Sequence, residues 1–391
     1  MKKIMFYTSG ISLGGVEQVL LNILNILNEK KFDIKLGLQN ENEKSFEDKI
    51  PKHIDYEYML SQNEIDKILK VQKKKGNNIF YKIYYSFLMK KEKRIIRKNY
   101  LKFYNDRDVI IDFKNSEYAK LTTLENKNKK ICWLHGGVEE FHEYKKNEEK
   151  FKKNLNKYDK IIVICDDMKD QVIKLFPELE NKIEKIYNPF NIEKINKIAS
   201  DDSYLSKLEK ELLKEKYIVA VSRLEYDAKG YPILLKAFKL AKEQGLEEKL
   251  YIVGEGVDRK KIEIKVKELD LEDEVKLLGL QKNPYIWMKN AKLFVHASKN
   301  EGFGMVLVEA IICGIPVIST NCPVGPREIL EDGKNGVLVE VGNSKEMALK
   351  LNELINNDKL REKYINNANK SIERFDSKKI KIQIEKILEE I

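Results

Sequence analysis

Apolar runs of strand composition alternate with amphipathic helical runs along the whole chain, a pattern that admits little besides parallel sheets flanked by helices. In the first half, strands are expected at 3–8, 33–38, 109–113, 130–134 and 160–165. The second half repeats the pattern at 217–221, 249–253, 275–278, 293–296, 316–319 and 336–339. Val16, Val19, Leu20, Ile23, Leu24 and Leu27 recur at the three-and-four spacing of a helix that lays one face on a sheet. A length of 391 residues exceeds what one hydrophobic core serves, and 42% hydrophobic content is enough for two. Asn188-Pro189 halts regular structure between the halves, which places a domain boundary at residue 191.

Charge narrows the choice of partners once it is located. The net charge is +10, yet between Lys67 and Lys98 twelve Lys or Arg residues face the single acid Glu92, so the rest of the chain is close to neutral at −1. Aromatic and aliphatic residues (Phe80, Tyr81, Ile83, Tyr84, Phe87, Leu88) interleave with these cations, a composition suited to the interface of an anionic membrane. A solvated helix face over buried aromatics is the other reading of that segment. Nucleic acid is a poorer partner, because no recognised module accompanies the charge. With no run of 18 apolar residues and no charged-then-apolar leader, a cytoplasmic protein is expected, peripheral on the inner face of the membrane. Cys132, Cys165, Cys313 and Cys322 lack close pairing and His-rich surroundings, so buried free thiols are expected, without zinc or disulfides.

The densest chemistry lies in Glu301-Gly302-Phe303-Gly304 followed by the apolar helical run 305–312, which carries Glu309. Two glycines let backbone N–H groups approach a ligand closely at the start of that helix. Two helical turns separate the carboxylates, so they reach different parts of one extended ligand rather than share a proton. A capping Glu and a solvated helix Glu are the plain alternative. Arg223, at a strand end, and Lys229 offer a planar fork and a point charge, which suit a leaving diphosphate; two ordinary surface cations are the other reading. Gly14 and Gly15 join the first strand to the first helix, which makes either an anion-binding helix start or a tight turn. Gly254, in Gly254-Glu255-Gly256, either lets a loop pass near a nucleotide or forms a simple turn. His135 follows a first-half strand and either faces the cleft on the same strand-end logic or is a structural histidine, as is frequent at strand ends. His53, His142 and His296 have no comparable context, though His296 begins the segment leading to Glu301.

The segment from Glu301 to Glu309 resembles the paired-Glu element of the retaining glycosyltransferases of group 1, also called family 4. Flanking stretches carry the likeness further: Gly279 to Tyr285, Gly314-Ile-Pro316, Gly325-Pro-Arg-Glu328 and Asp332 to Gly336. The resemblance implies an α/β chain of the GT-B fold, two Rossmann-like domains with parallel sheets facing across a cleft. Residues 1–191 would bind the acceptor, 192–376 the nucleotide sugar, and helix 377–391 would cross back to the first domain. It further implies that Glu309 holds the ribose, that Glu301 contacts the donor sugar, and that backbone N–H groups of Phe303, Gly304, Met305 and Val306 reach sugar and phosphates. Asn283 would place the nucleobase, Gly14 and Gly15 match the family's Gly-Gly loop, and His135 matches a His near the reacting sugar.

The activity so implied moves a hexose or N-acetylhexosamine from a UDP-linked sugar to a glycan acceptor, lipid-linked, in cell-surface polysaccharide, lipopolysaccharide or other glycan biosynthesis. The leaving phosphate would help deprotonate the acceptor. The nucleotide sugar is a substrate and no cofactor is expected. Asp106-Arg107-Asp108 has the form of a metal-bridging motif of another fold, but the Arg223–Lys229 pair already supplies the charge, so activity without metal is expected. An epimerase acting on a nucleotide sugar in the same fold, and a catalytically silent nucleotide- or membrane-binding subunit, are the rival functions.

Overall fold

The computed structural model describes residues 1–8, 14–40, 47–76, 78–114 and 127–391, with 47, 142 and 143 described by backbone alone. The chain forms two compact units: Met1–Ile164, Met168–Pro189 and Ile380–Ile391 make the first, and Cys165–Asp167 with Phe190–Lys379 the second.

In the first unit, seven strands among the described residues form one sheet: β1 (Lys2–Thr8), β2 (Phe32–Asn40), β3 (Asp55–Leu60), β4 (Val109–Asp112), β5 (Lys129–Trp133), β6 (Lys160–Val163) and β7 (Ile183–Lys185). Their order is β3-β2-β1-β4-β5-β6-β7 and every pairing is parallel. The buried residues of β1 and β4 explain the arrangement, since a strand covered by helices on both faces must be apolar throughout. Helices α1 (Gly15–Ile26), α2 (Gln62–Lys75) and α3 (Ile79–Tyr104) follow in chain order. The last helix, Ser377–Glu390, is tied to this unit from Ile380 onward: Glu385 accepts from the Asn28 N–H at 3.1 Å and from Lys31 Nζ at 3.3 Å.

The second unit has a six-stranded sheet among its described residues: β8 (Tyr217–Val221), β9 (Lys249–Val253), β10 (Val275–Gly279), β11 (Leu293–His296), β12 (Val317–Thr320) and β13 (Val337–Val339). The order β10-β9-β8-β11-β12-β13 is again wholly parallel. Strand order reverses between β8 and β11, registered as Leu293 opposite Ile218 and Phe294 opposite Val219. Outside the carboxyl ends of two such strands a crevice opens, because their connections leave in opposite directions.

Two strands fall outside the expected set. β3 is exposed over Asp55 to Glu57 and β7 is three residues long; both are sheet edges, which bury too little to show an apolar run. Cys132, Cys165, Cys313 and Cys322 are all buried. No described helix is long and apolar enough to cross a membrane.

Candidate active site

The loop that leaves β11 is built inward. Ser298 is fully buried; its Oγ donates to the Ala228 carbonyl at 3.2 Å, and the Lys299 N–H donates to the same oxygen at 3.0 Å. Thr320, at the end of β12, donates to the Ser298 carbonyl at 2.5 Å. These bonds stitch the loop after β8 to the loop after β11, and Lys229 therefore arrives beside Glu301 although 72 residues separate them. Lys229 Nζ lies 2.7 Å from Glu301 Oε1, with side chains only 16% and 11% exposed.

His296 completes the cluster. It is buried at the last position of β11, and its Nε2 stands 2.9 Å from Glu301 Oε1. An ionised carboxylate only accepts, so the imidazole proton resides on Nε2. Burial pushes the Glu301 carboxyl up, but the hydrogen bond from His296 and the Lys229 charge outweigh it and hold the group well below the usual carboxylate range. The result is a fixed anion with a defined orientation. The sequence shows His296 at the start of the segment leading to Glu301, five residues before it, but gives it no role.

Gly304 caps the next helix, Met305–Ile312, in the left-handed conformation with φ 91°, which a side chain would strain. As a glycine, the N-cap residue Gly304 contributes no side-chain cap of its own. Phe303 is buried and meets Phe375 edge-on at 5.9 Å, so it contributes backbone rather than ring to the site surface. Glu309 lies half-buried on the helix and accepts from Tyr285 Oη at 3.2 Å. Burial pushes its carboxyl up to about 7, and the Tyr285 hydrogen bond opposes only part of that. The two acids of one loop-helix unit thus differ: Glu301 is locked as an anion, whereas Glu309 titrates near neutrality.

Other expected residues are placed differently. Arg223 is 65% exposed and pairs with Glu225 at 3.0 Å, so it does not join the Lys229–Glu301–His296 cluster. Asn283 donates its amide to the Ile198 and Asp201 carbonyls at 2.7 and 2.9 Å, a bond pair that anchors the helix Ile192–Ile198. A Cβ on Gly254 would collide with the Ser222 carbonyl, so its close approach is to its own chain. Arg107 pairs with Asp106 and Asp33, and Asp108 accepts from the Lys3 N–H, which occupies Asp106-Arg107-Asp108 in structural contacts.

In the first unit, Gly14 is the uncapped N-cap of α1, and the Glu17 carboxylate folds back onto that helix start while Lys114 Nζ meets it at 2.6 Å. Residues 9–13 of the Gly14-Gly15 loop lie outside the described residues. His135 packs 4.4 Å from Phe113 and stacks on Trp133. Burial, with Lys114 adding to it, pushes its pKa down to about 3, so the ring is neutral at physiological pH.

Comparison with known proteins decides the family. The family model for glycosyl transferases group 1 matches residues 205–371. An N-acetylgalactosamine-N,N'-diacetylbacillosaminyl-diphospho-undecaprenol 4-alpha-N-acetylgalactosaminyltransferase of Campylobacter jejuni is 31% identical over 389 residues, covering 97% of each chain. The chain belongs to the group 1 glycosyltransferases. Solved structures agree on the fold: Anabaena HepE in complex with UDP superposes with a TM-score of 0.78 at 23% identity, covering 100% of both chains. A Staphylococcus aureus TarM mutant in complex with UDP gives 0.74 at 17% identity over 99% of this chain and 100% of that one. This group 1 glycosyltransferase therefore has the two parallel-sheet α/β units of the GT-B fold.

Proposed function

We propose that this group 1 glycosyltransferase moves a hexose or N-acetylhexosamine from a UDP-linked sugar to a lipid-linked glycan acceptor in cell-surface polysaccharide, lipopolysaccharide or related glycan synthesis. The transfer retains configuration at the anomeric carbon and needs no metal. The observation that carries the reading is Glu301, held ionised by His296 and Lys229 outside the switch point between β8 and β11. Support for acceptor and donor comes from the relatives: the Campylobacter enzyme is named for transfer onto a diphospho-undecaprenol-linked sugar, and the HepE and TarM structures contain UDP.

In this reading the second unit holds the donor and the first the acceptor. Glu301 accepts from donor-sugar hydroxyls and Glu309 from the ribose, with Asn283 near the base and Gly254 in the adjoining loop. N–H groups from Phe303 to Val306 face the phosphates, and Arg223 and Lys229 take up the diphosphate charge. Gly14 and Gly15 add backbone donors, and neutral His135 positions the sugar by hydrogen bonding. The bond from the anomeric carbon to the phosphate oxygen breaks with its electron pair leaving on the diphosphate. The acceptor oxygen bonds the same carbon from the same face, and its proton passes to the departing phosphate oxygen.

Incubation of the protein with radiolabelled UDP-sugars and a membrane extract, with and without EDTA, tests this. Label should move into the lipid fraction in both cases, and NMR of the product should give the donor's anomeric configuration. Sugar interconversion without transfer, an inverted product, or turnover abolished by EDTA and restored by magnesium would each overturn the corresponding part.

A further inference from the structure

α3 presents one face that its own unit leaves uncovered. Leu88, Glu92, Ile96, Tyr100, Phe103 and Tyr104 are buried on one side, and the last four of the apolar ones pack with Met5, Tyr7, Met59 and Leu60. On the other side Ile79, Phe80, Ile83, Tyr84 and Phe87 follow at intervals of one and three, which places them on a single stripe. They are exposed by 60%, 78%, 63%, 50% and 59%. Scattered apolar residues at a surface are ordinary, but five on one stripe are a patch that wants a partner.

The stripe does not stop at Phe87. Lys90, Lys91, Arg94, Arg97 and Lys98 continue it at the same intervals, and all five are exposed. Glu92, the only acid of α3, is on the buried side. One helix face is thus apolar and aromatic at its N-terminal end and cationic toward its C-terminal end, over about 28 Å of helix. The basic segment read from sequence is divided by Gly76, so Lys67, Lys70 and Lys73 to Lys75 belong to α2, a separate helix.

We propose that this face of α3 docks the protein on a bilayer containing anionic phospholipid, with Ile79 to Phe87 set into the boundary between headgroups and acyl chains and Lys90 to Lys98 on the lipid phosphates. The charge pattern selects the occupant. A second copy of the chain would bring two cationic stripes together, and a nucleic acid would match the cations but leave the aliphatic Ile79 and Ile83 in water. Lipid satisfies both ends at once. The inference does not depend on which sugar is moved or on the acceptor, and its test requires neither.

The full chain is floated with vesicles of phosphatidylcholine alone, or with phosphatidylglycerol added, at low and high salt. Recovery is expected with the anionic vesicles at low salt, falling about fivefold for each cation neutralised in Arg94→Gln and Arg97→Gln. Phe80→Ser/Phe87→Ser should remove the part of binding that survives high salt. Circular dichroism melts of these variants should match the parent, since the face is exposed; if one does not, Phe87→Trp in the otherwise unchanged chain decides, its emission shifting blue only with anionic vesicles. Equal recovery on neutral and anionic vesicles, unchanged partition after neutralisation, or self-association or RNA retention without flotation would each overturn the proposal.

Discussion

His296 Nε2 donates to Glu301 Oε1 at 2.9 Å, so the last residue of β11 orients the first acid of the loop that follows it. His296 is buried and acts through Glu301. His296→Ala should lower kcat roughly ten- to a hundredfold, as expected for one hydrogen bond to a charged group, while donor KM changes less than threefold or so. Gln carries an amide nitrogen to a similar distance and should restore most of the loss. A purely structural role predicts a lower melting temperature with kcat intact and no rescue by Gln.

Glu301 also links the site to stability at acid pH. Its folded pKa lies below the ordinary value of 4.5, so ionisation favours the folded state. That contribution is present above pH 4.5 and is lost as pH falls toward the folded pKa. The parent should therefore lose melting temperature on acidification below that value more steeply than Glu301→Gln, which has no such proton to take up. Parallel melts from neutral to acid pH check this, and identical slopes would remove Glu301 as a source of the acid sensitivity.

Glu309 has the opposite sign. Its folded pKa is raised to about 7 from 4.5, so ionisation opposes folding, with the penalty absent below 4.5 and complete only above 7. Glu309→Gln should melt with the parent at pH 4 or so and above it at pH 8, by the equivalent of about 3 kcal/mol. Donor binding should run the other way, because ribose hydroxyls donate to the carboxylate: affinity for UDP rises as pH passes through 7 in the parent and stays flat in the variant. Tyr285→Phe removes the hydrogen bond that favours the anion and should move that midpoint upward. Calorimetric titration with UDP across this range reads all three curves.

Much of this architecture was legible because a parallel strand buried on both faces leaves an unbroken apolar run. β8, β9 and β11 have the limits expected from such runs, whereas the edge strands β3 and β7 bury too little to announce themselves. Lys229 and Glu301 could each be singled out by residue type and local glycines. Their direct pairing could not, because it depends on the Ala228 carbonyl accepting from two groups of the β11 loop, a backbone event without a residue-type signature. The same holds for Tyr285 and Glu309, which meet across 24 residues. Asn283 shows the converse: its side chain has donors and acceptors suited to a base, but the carbonyls of Ile198, the last residue of the helix Ile192–Ile198, and of Asp201 just beyond it claim the donors.

Gly254 offers a last distinction between fold and ligand. It has φ 140°, and a Cβ there would overlap the Ser222 carbonyl oxygen, backbone that cannot swing aside. Gly245, at φ 96°, has open space around the same position. Ala at residue 245 meets only backbone strain and should cost about 1 kcal/mol, whereas Ala at residue 254 adds a backbone collision and should cost roughly 3 kcal/mol or more. Because Ser222 directly precedes Arg223, the shift needed to relieve that collision falls on the strand end proposed to meet the diphosphate. Gly254→Ala should therefore melt several degrees below Gly245→Ala, with UDP affinity reduced only as far as the β8 end has moved. A Gly254→Ala protein that melts with the parent yet fails to bind UDP would show that this glycine serves the nucleotide and not the packing of its own loop.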